Sequence, residues 1–242
     1  MWWRIEIWDA IYFHELPEDS ITAGGIDRPL MPPRGNSRTL KIVSGPHGSP
    51  NLFTEASFNE LLGASWKVHY NSNRVGVRLT RPKPRWARET GGEAGLHRSN
   101  IHDSPYSIGS VSFTGDEAAI LTCYGPSLGG FVVFAVVVAA NMRKDGQMRQ
   151  GGDAHLLPIT FNEAIKLDET MGEAIRHLRP LNDCDPETTV TDPIVGQFKT
   201  DGTKLVCRQA GDRAVLPEFG DDVFSTDSSI SYTMSWICIQ NP

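Results

Sequence analysis

His102-Asp103 places an imidazole directly beside a carboxylate, a pairing that can fix a tautomer and raise the basicity of a general base. Neighbours on an extended strand point to opposite faces, so a histidine on a surface loop is the alternative. Upstream, Asn71-Ser72-Asn73-Arg74 offers an amide and a guanidinium fork suited to a planar carboxylate or carbonyl oxygen. Its plainer reading is a turn closed by asparagine side chains, with Arg74 in a structural ion pair. Downstream, Gly125-Pro126-Ser127-Leu128-Gly129-Gly130 is a small-residue loop whose backbone N–H groups can approach a ligand closely. It lacks the lysine of a phosphate loop and the GxGxxG of a dinucleotide fold. Arg78, Arg81, Lys83, Arg85 and Arg88, with Trp86 among them, form a basic cluster. It reads as a solvated loop or as a landing place for an anionic group or an acidic partner. HExxH is absent from the sequence.

Strands must hold these groups. Residues 2–13, Leu40–Val43, Trp66–Tyr70, Val75–Thr80, Ser107–Phe113, Ala118–Cys123 and Phe131–Ala139 carry the β-branched, aromatic or alternating patterns of strands. A short helix is expected after Thr54, with Glu55 in its first turn and Gly63 just past its end. Residues 81–98, punctuated by Pro82, Pro84, Gly91, Gly92 and Gly95, form a long loop that leads into a loop carrying His97, Asn100, His102 and Asp103. Thr160 and Glu163 make a capping box ahead of a helix. Its stripe of Ala164, Leu167, Met171, Ala174 and Leu178 runs to Pro180 and reads as core packing. Leu205 to Asp221 reads as strand, tight turn, strand.

The 242 residues allow one or two domains, and 39% apolar with 21% charged residues is ordinary for a water-soluble fold. The net charge of −6 gives no support for nucleic-acid binding. Cys123, Cys184, Cys207 and Cys238 are scattered, without CxxC or metal-ligand spacing, which suggests free thiols and no metal site. The N-terminus has no signal-peptide layout, and the run 131–140 is about half of a membrane span. A cytoplasmic location without membrane contact is the default expectation.

Longer strings carry more. GPHGSPNLFTE (45–55), WKVHYNSNRVGVRL (66–79), RPKPRWAR (81–88), SNIHDSPYSIGSVSFTGD (99–116) and GPSLGGF (125–131) resemble the carboxyltransferase domain of urea carboxylase, the biotin-dependent part of urea amidolyase. CRQAGDRAVLPEFGDDV (207–223) resembles the start of that domain's second half. The resemblance implies a mainly β fold with a few helices, a cyclophilin-like β-barrel half followed by the start of a second half. It implies a poorly matching segment at 1–37, the first-half domain at 38–179, a linker at 180–194 and a truncated second half at 195–242, so that the chain reads as truncated at both ends. The implied chemistry passes a carboxyl group from carboxybiotin, delivered on a separate carrier domain, to urea, giving allophanate. Biotin is the implied cofactor, with ATP used only at a separate biotin carboxylase domain. His102, oriented by Asp103, becomes the candidate base. Asn73, Arg74, Asn100 and Tyr106 become substrate contacts, and Ser127, Leu128, Gly129 and Gly130 the lining of a biotin pocket. The alternative is a non-catalytic interaction module, related to kinase-inhibitor or 5-oxoprolinase subunits.

Overall fold

The computed structural model describes residues 35–80, 82–91, 95–181, 188–200, 203–220 and 237–238. Seven strands close into a barrel. In chain order they are β1 (Ser37–Ser44), β2 (Ser65–Val68), β3 (Gly76–Thr80), β5 (Ser110–Thr114), β6 (Glu117–Leu121), β8 (Val133–Val137) and β9 (Asp153–Pro158). Around the barrel they run β1-β8-β5-β6-β3-β2-β9, and closure comes from a parallel β9–β1 pair while every other pair is antiparallel. Outside the barrel, β4 (Asn100–Pro105) and β7 (Leu128–Phe131) pair as a two-stranded ribbon. A separate sheet follows, with β10 (Ile194–Thr200), β11 (Thr203–Gln209), β12 (Ala214–Phe219) and β13 (Ile237–Cys238) in sequential order. The fold is the mainly β barrel that the sequence implies.

The barrel encloses aromatic rings rather than a channel. Trp66, Phe53, Phe113 and Phe134 are fully buried, with Phe113 and Phe134 centroids 5.2 Å apart, tilted as ring quadrupoles favour. Helix α1 (Glu55–Gly63) lays Phe58, Leu61 and Leu62 on this cluster, its first turn capped by the Thr54 hydroxyl accepting the Ser57 N–H at 3.2 Å. Gly63 is the last residue of that helix rather than the first beyond it. Strand β8, VFAVV, is buried at all five positions because apolar layers cover both of its faces. Phe134, Ala135 and Val137 belong to the barrel core, while Val133 and Val136 join Val43, Ile159 and Ala164 outside it.

That outer layer is roofed by α3 (Phe161–Arg176), which starts at the capping box Thr160/Glu163 read from the sequence. Its expected core stripe is narrower than its spacing suggests. Ala164 and Ala174 are buried, Leu167 and Met171 are half-buried, and Leu178 lies past the helix, exposed, with φ 50°. A 3-10 turn at Ala139–Asn141 runs into the single turn of α2 (Met142–Asp145).

The β11–β12 turn clips the second sheet onto this scaffold. Gly211, at φ 109°, lies against Val136, where a Cβ would stand 3.1 Å from its Cγ1. Asp212 accepts the Ala139 N–H through both carboxylate oxygens, at 2.9 and 3.2 Å, and Arg213 pairs with Asp168 of α3 at 2.6 Å. Asp212→Ala is expected to cost about 1–3 kcal/mol, because it strips the partner from a part-buried N–H. Urea unfolding would show this, and hydrogen exchange at Ala139 should rise with it.

The structure adds elements that the sequence reading lacked. β9 and β10 were not anticipated, and two stretches expected as loops are in strands: Asn100, His102 and Asp103 sit on β4, and Leu128, Gly129 and Gly130 on β7. Residues 2–13 lie outside the described residues.

Candidate active site

The three polar features of the sequence form one contiguous chain of contacts at the end of the barrel. Asn73 closes the β2–β3 turn: its Oδ1 accepts the Val75 N–H at 2.8 Å and the Gly76 N–H at 3.3 Å. Ser72 Oγ accepts the Arg78 N–H at 3.0 Å, completing a turn built from short polar side chains. Antiparallel pairing of β3 with β6 sets Gly76 opposite Leu121, so this turn abuts residues 122–125. The Thr122 hydroxyl donates to the Arg74 carbonyl, and a Cβ on Gly125 would stand 3.0 Å from the Val75 carbonyl oxygen. Arg74 projects over the Tyr124 ring, 6.0 Å from its centroid, where cation–π attraction can orient it. Among the described residues Arg74 meets this ring and no carboxylate, unlike the ion-pair alternative, and it is exposed.

From there the chain enters β7, which Tyr106 clamps in place. Tyr106 is 7% exposed; its N–H donates to the Ser127 carbonyl at 2.8 Å. Its hydroxyl accepts the Phe131 N–H at 2.7 Å and donates to the Phe131 carbonyl at 3.2 Å. Burial raises its pKa. Gly129 is required by this clamp, since a Cβ there would stand 2.6 Å from the Tyr106 ring. Gly130 approaches the Ile101 carbonyl oxygen, its Cβ position 3.0 Å away. The two glycines therefore bring β7 against Tyr106 and β4, and Tyr106 is a framework group rather than an open contact. Tyr106→Phe is expected to cost about 1–2 kcal/mol from the lost pair of hydrogen bonds. Chemical unfolding measures it; an unchanged midpoint would contradict the clamp.

On β4, His102 and Asp103 are both exposed. Asp103 lies on the β7 side, its Oδ1 3.5 Å from where a Gly130 Cβ would stand, and its charge contributes to the rise at Tyr106. The β4–β7 register shifts between Asn100 and Ser104, so His102 and Asp103 stand on an irregular stretch of the ribbon. Asn100 begins the ribbon opposite Phe131, its carbonyl accepting from Arg88.

The basic cluster resolves into local partners. Arg85 pairs with Glu60 at 2.8 Å, Lys83 approaches Asp116 at 3.9 Å, and Arg78 approaches Glu117 at 3.9 Å, while Arg81 lies outside the described residues. Trp86 stacks on Phe53 at 4.8 Å and donates to Asp116 at 3.2 Å. Arg88 turns inward, its Nε donating to the Arg98 carbonyl at 2.8 Å. His97 sits between Ser99 Oγ at 3.0 Å and Asp116 Oδ1 at 3.6 Å, but Ser99 is fully buried and accepts the Gly115 N–H. That serine–histidine–aspartate row is structural. Among the described residues no cluster of three or more His, Cys, Asp or Glu could hold a metal ion.

Sequence reasoning missed His47 and Arg208. His47 Nδ1 accepts the Val133 N–H at 3.1 Å, at the start of β8, two residues beyond the ribbon. Packing around the ring, with the charges of Arg208 and Arg88, lowers its pKa to about 3. His47 lies in the string GPHGSPNLFTE that carries the resemblance, and no spacing rule marks it as a partner of β8.

A family profile for the carboxyltransferase domain, subdomains A and B, matches residues 8–158. The chain belongs to that carboxyltransferase domain family. It is 44% identical over 217 residues to the urea amidolyase of Saccharomyces cerevisiae, covering 86% of this chain and 12% of that protein. To the urea amidolyase of Lachancea kluyveri it is 44% identical over 205 residues, covering 81% and 11%. The crystal structure of Kluyveromyces lactis urea carboxylase superposes with a TM-score of 0.77 at 40% identity, covering 87% of this chain and 20% of that one. The chain thus spans about an eighth of the length of the curated relatives it matches.

Proposed function

We propose that this chain is the acceptor side of a biotin-dependent urea carboxylase, the part where a carboxyl group passes to a urea nitrogen to give allophanate. The observation that carries the reading is the 40–44% identity to urea amidolyases and urea carboxylase across most of the chain, with the whole barrel inside the family profile. A biotin group, borne on a separate carrier domain and charged by a separate ATP-using biotin carboxylase, would supply the activated carboxyl. The β7 rim suits such a group: Leu128 is 55% exposed and offers apolar surface to fused rings, beside exposed Ser127.

The chain's own residues then divide the work. Arg74, steadied over Tyr124, meets carboxylate or carbonyl oxygen. Asn73 keeps the turn that presents it. His102 takes the proton leaving the urea nitrogen, with Asp103 and Asn100 as polar neighbours on the same ribbon. Tyr106, Gly129 and Gly130 hold the ribbon to the barrel. Nothing in this arrangement needs nucleic acid or a lipid surface, and among the described residues no helix is long and apolar enough to cross a membrane.

A carboxyl-transfer assay in the decarboxylation direction tests the reading, using carboxylated free biotin with and without urea. Urea-dependent turnover, lost in an Asn73→Ala, His102→Ala double variant, is the expected result. A chain that is folded by circular dichroism and shows no turnover would refute it.

A further inference from the structure

His102 and Asp103 stand on a part of β4 that β7 does not hold. Asn100 faces Phe131 and Ser104 faces Gly129, so β7 offers one residue, Gly130, where β4 runs through Ile101, His102 and Asp103. The surplus bulges outward, leaving His102 and Asp103 exposed between a half-buried Asn100 and a buried Ser104. The aim of such a bulge is set by its two ends. Tyr106 fixes the far end, through its N–H to Ser127 and its hydroxyl to Phe131.

The near end has a different anchor. Carbonyls alternate in direction along an extended chain, and those of residues 98–100 go to two sides. The Ser99 carbonyl accepts the Val132 N–H at 2.9 Å. The Arg98 and Asn100 carbonyls both take donors from one guanidinium. Arg88 Nε and Nη2 donate to the Arg98 carbonyl at 2.8 and 2.5 Å, and Nη2 donates again to the Asn100 carbonyl. Arg88 thus stands in for the missing neighbour of an edge strand, with a planar fork that presents donors in fixed directions. The barrel in turn holds Arg88. Just before it, the Arg85 N–H donates to Ser57 Oγ at 2.7 Å and the Ala87 N–H to the Leu52 carbonyl at 2.9 Å, while Trp86 stacks on Phe53 in the core. Among the described residues half-buried Arg88 meets carbonyl oxygens and no carboxylate, so its bonds are not those of a surface ion pair.

We propose that Arg88 is a positioning residue of the carboxyl-transfer site: by tying the Arg98 and Asn100 carbonyls to the barrel, it aims the bulge that carries His102 and Asp103. This rests on the carboxyl-transfer reading above, in which His102 takes the proton leaving urea.

The test uses the full chain labelled with 15N-histidine, its Arg88→Met variant, and Arg85→Met as a control. Arg85 is three residues away, but its guanidinium pairs with Glu60 at the surface. Arg88→Met is expected to lower kcat per folded chain about tenfold or more in urea-dependent decarboxylation of carboxylated free biotin, because a small misplacement of a reacting group is costly. KM for urea should stay within about threefold. The His102 ring resonances should move while those of His155, on β9, stay. Arg88→Lys keeps the charge and donors without the fork and should recover part of kcat. Arg85→Met should match the parent chain in both readouts. Parent kcat or unmoved His102 resonances in a folded Arg88→Met would overturn the proposal, as would an activity loss that tracks the unfolded fraction alone. Where Arg88→Met fails to fold, Arg88→Lys decides by the same two readouts, and parent values there overturn the proposal. A parent chain without urea-dependent turnover, whose His102 resonances are still displaced by Arg88→Met, would overturn the carboxyl-transfer reading and keep Arg88 as the anchor of the ribbon.

Discussion

Asp145→Asn is expected to leave stability near pH 4 almost unchanged and to raise it by about 4 kcal/mol near pH 8, relative to the parent chain. Asp145 ends the single turn of α2, is 2% exposed, and its Oδ1 meets no donor. Burial lifts its pKa from 3.8 to about 7. The folded chain therefore keeps a proton that the unfolded chain releases above pH 3.8. The stability linked to that proton is complete below the unfolded value and is lost as pH rises through about 7, where the folded carboxyl must ionise without a partner. Asparagine cannot ionise and escapes the loss. Urea-unfolding midpoints of both chains, compared from about pH 4 to 8, measure the difference; parallel profiles would show that Asp145 finds a compensating partner once charged.

Gly45→Ala is expected to destabilise the chain by about 3 kcal/mol and to disturb the His47 resonances. The residue follows β1 directly, and its N–H donates to the Phe134 carbonyl at 2.9 Å. A Cβ there would stand 2.6 Å from the Val133 oxygen, 2.7 Å from the Ala135 nitrogen and 2.7 Å from the Phe134 carbonyl carbon. All three are backbone atoms of a strand buried on both faces, so no side chain can swing aside and β8 has no room to retreat. Gly63→Ala is the control. Nothing lies within 4 Å of its Cβ position, and its midpoint should move by less than about 1 kcal/mol. Equal losses in the two variants would show that the close approach of Gly45 to β8 is not what requires glycine.

The sequence made the barrel strands legible where one face is wet and the other dry, as in the alternation of β3 and β6. It also marked α1 and α3 through Thr54 and Thr160, because a cap is a local signal. β9 was missed although Ala154, Leu156 and Pro158 alternate inward, since the strand lies between the Gly151-Gly152 turn and α3, and its partners β1 and β2 are remote in sequence. β4 and β7 read as loops because Asn, His, Asp and Gly are poor strand formers, and each is held extended by the other and by Tyr106. For the site, the turn at Asn73 and the ribbon residues were visible as polar types at strand ends. The contact of His47 with Val133 was not, because no local spacing signal links a histidine after β1 to a strand 86 residues further on.

The parallel pair that closes the barrel also sets an order of events during synthesis. β1 matches Ser37 to Asp153 and Ile42 to Pro158, so its parallel edge stays bare until β9 has left the ribosome. Its antiparallel edge waits nearly as long, for Ala135 to Val137 of β8. A nascent chain emerging at about 5–20 residues per second thus spends several seconds with an apolar first strand unpaired on both sides. Contacts this distant in sequence also slow folding by their loop-closure entropy. The polar opening of β1, Ser37-Arg38-Thr39, places charge and hydroxyl groups at one end of that exposed edge, where they discourage strand-to-strand association while the rest of the ring is being made.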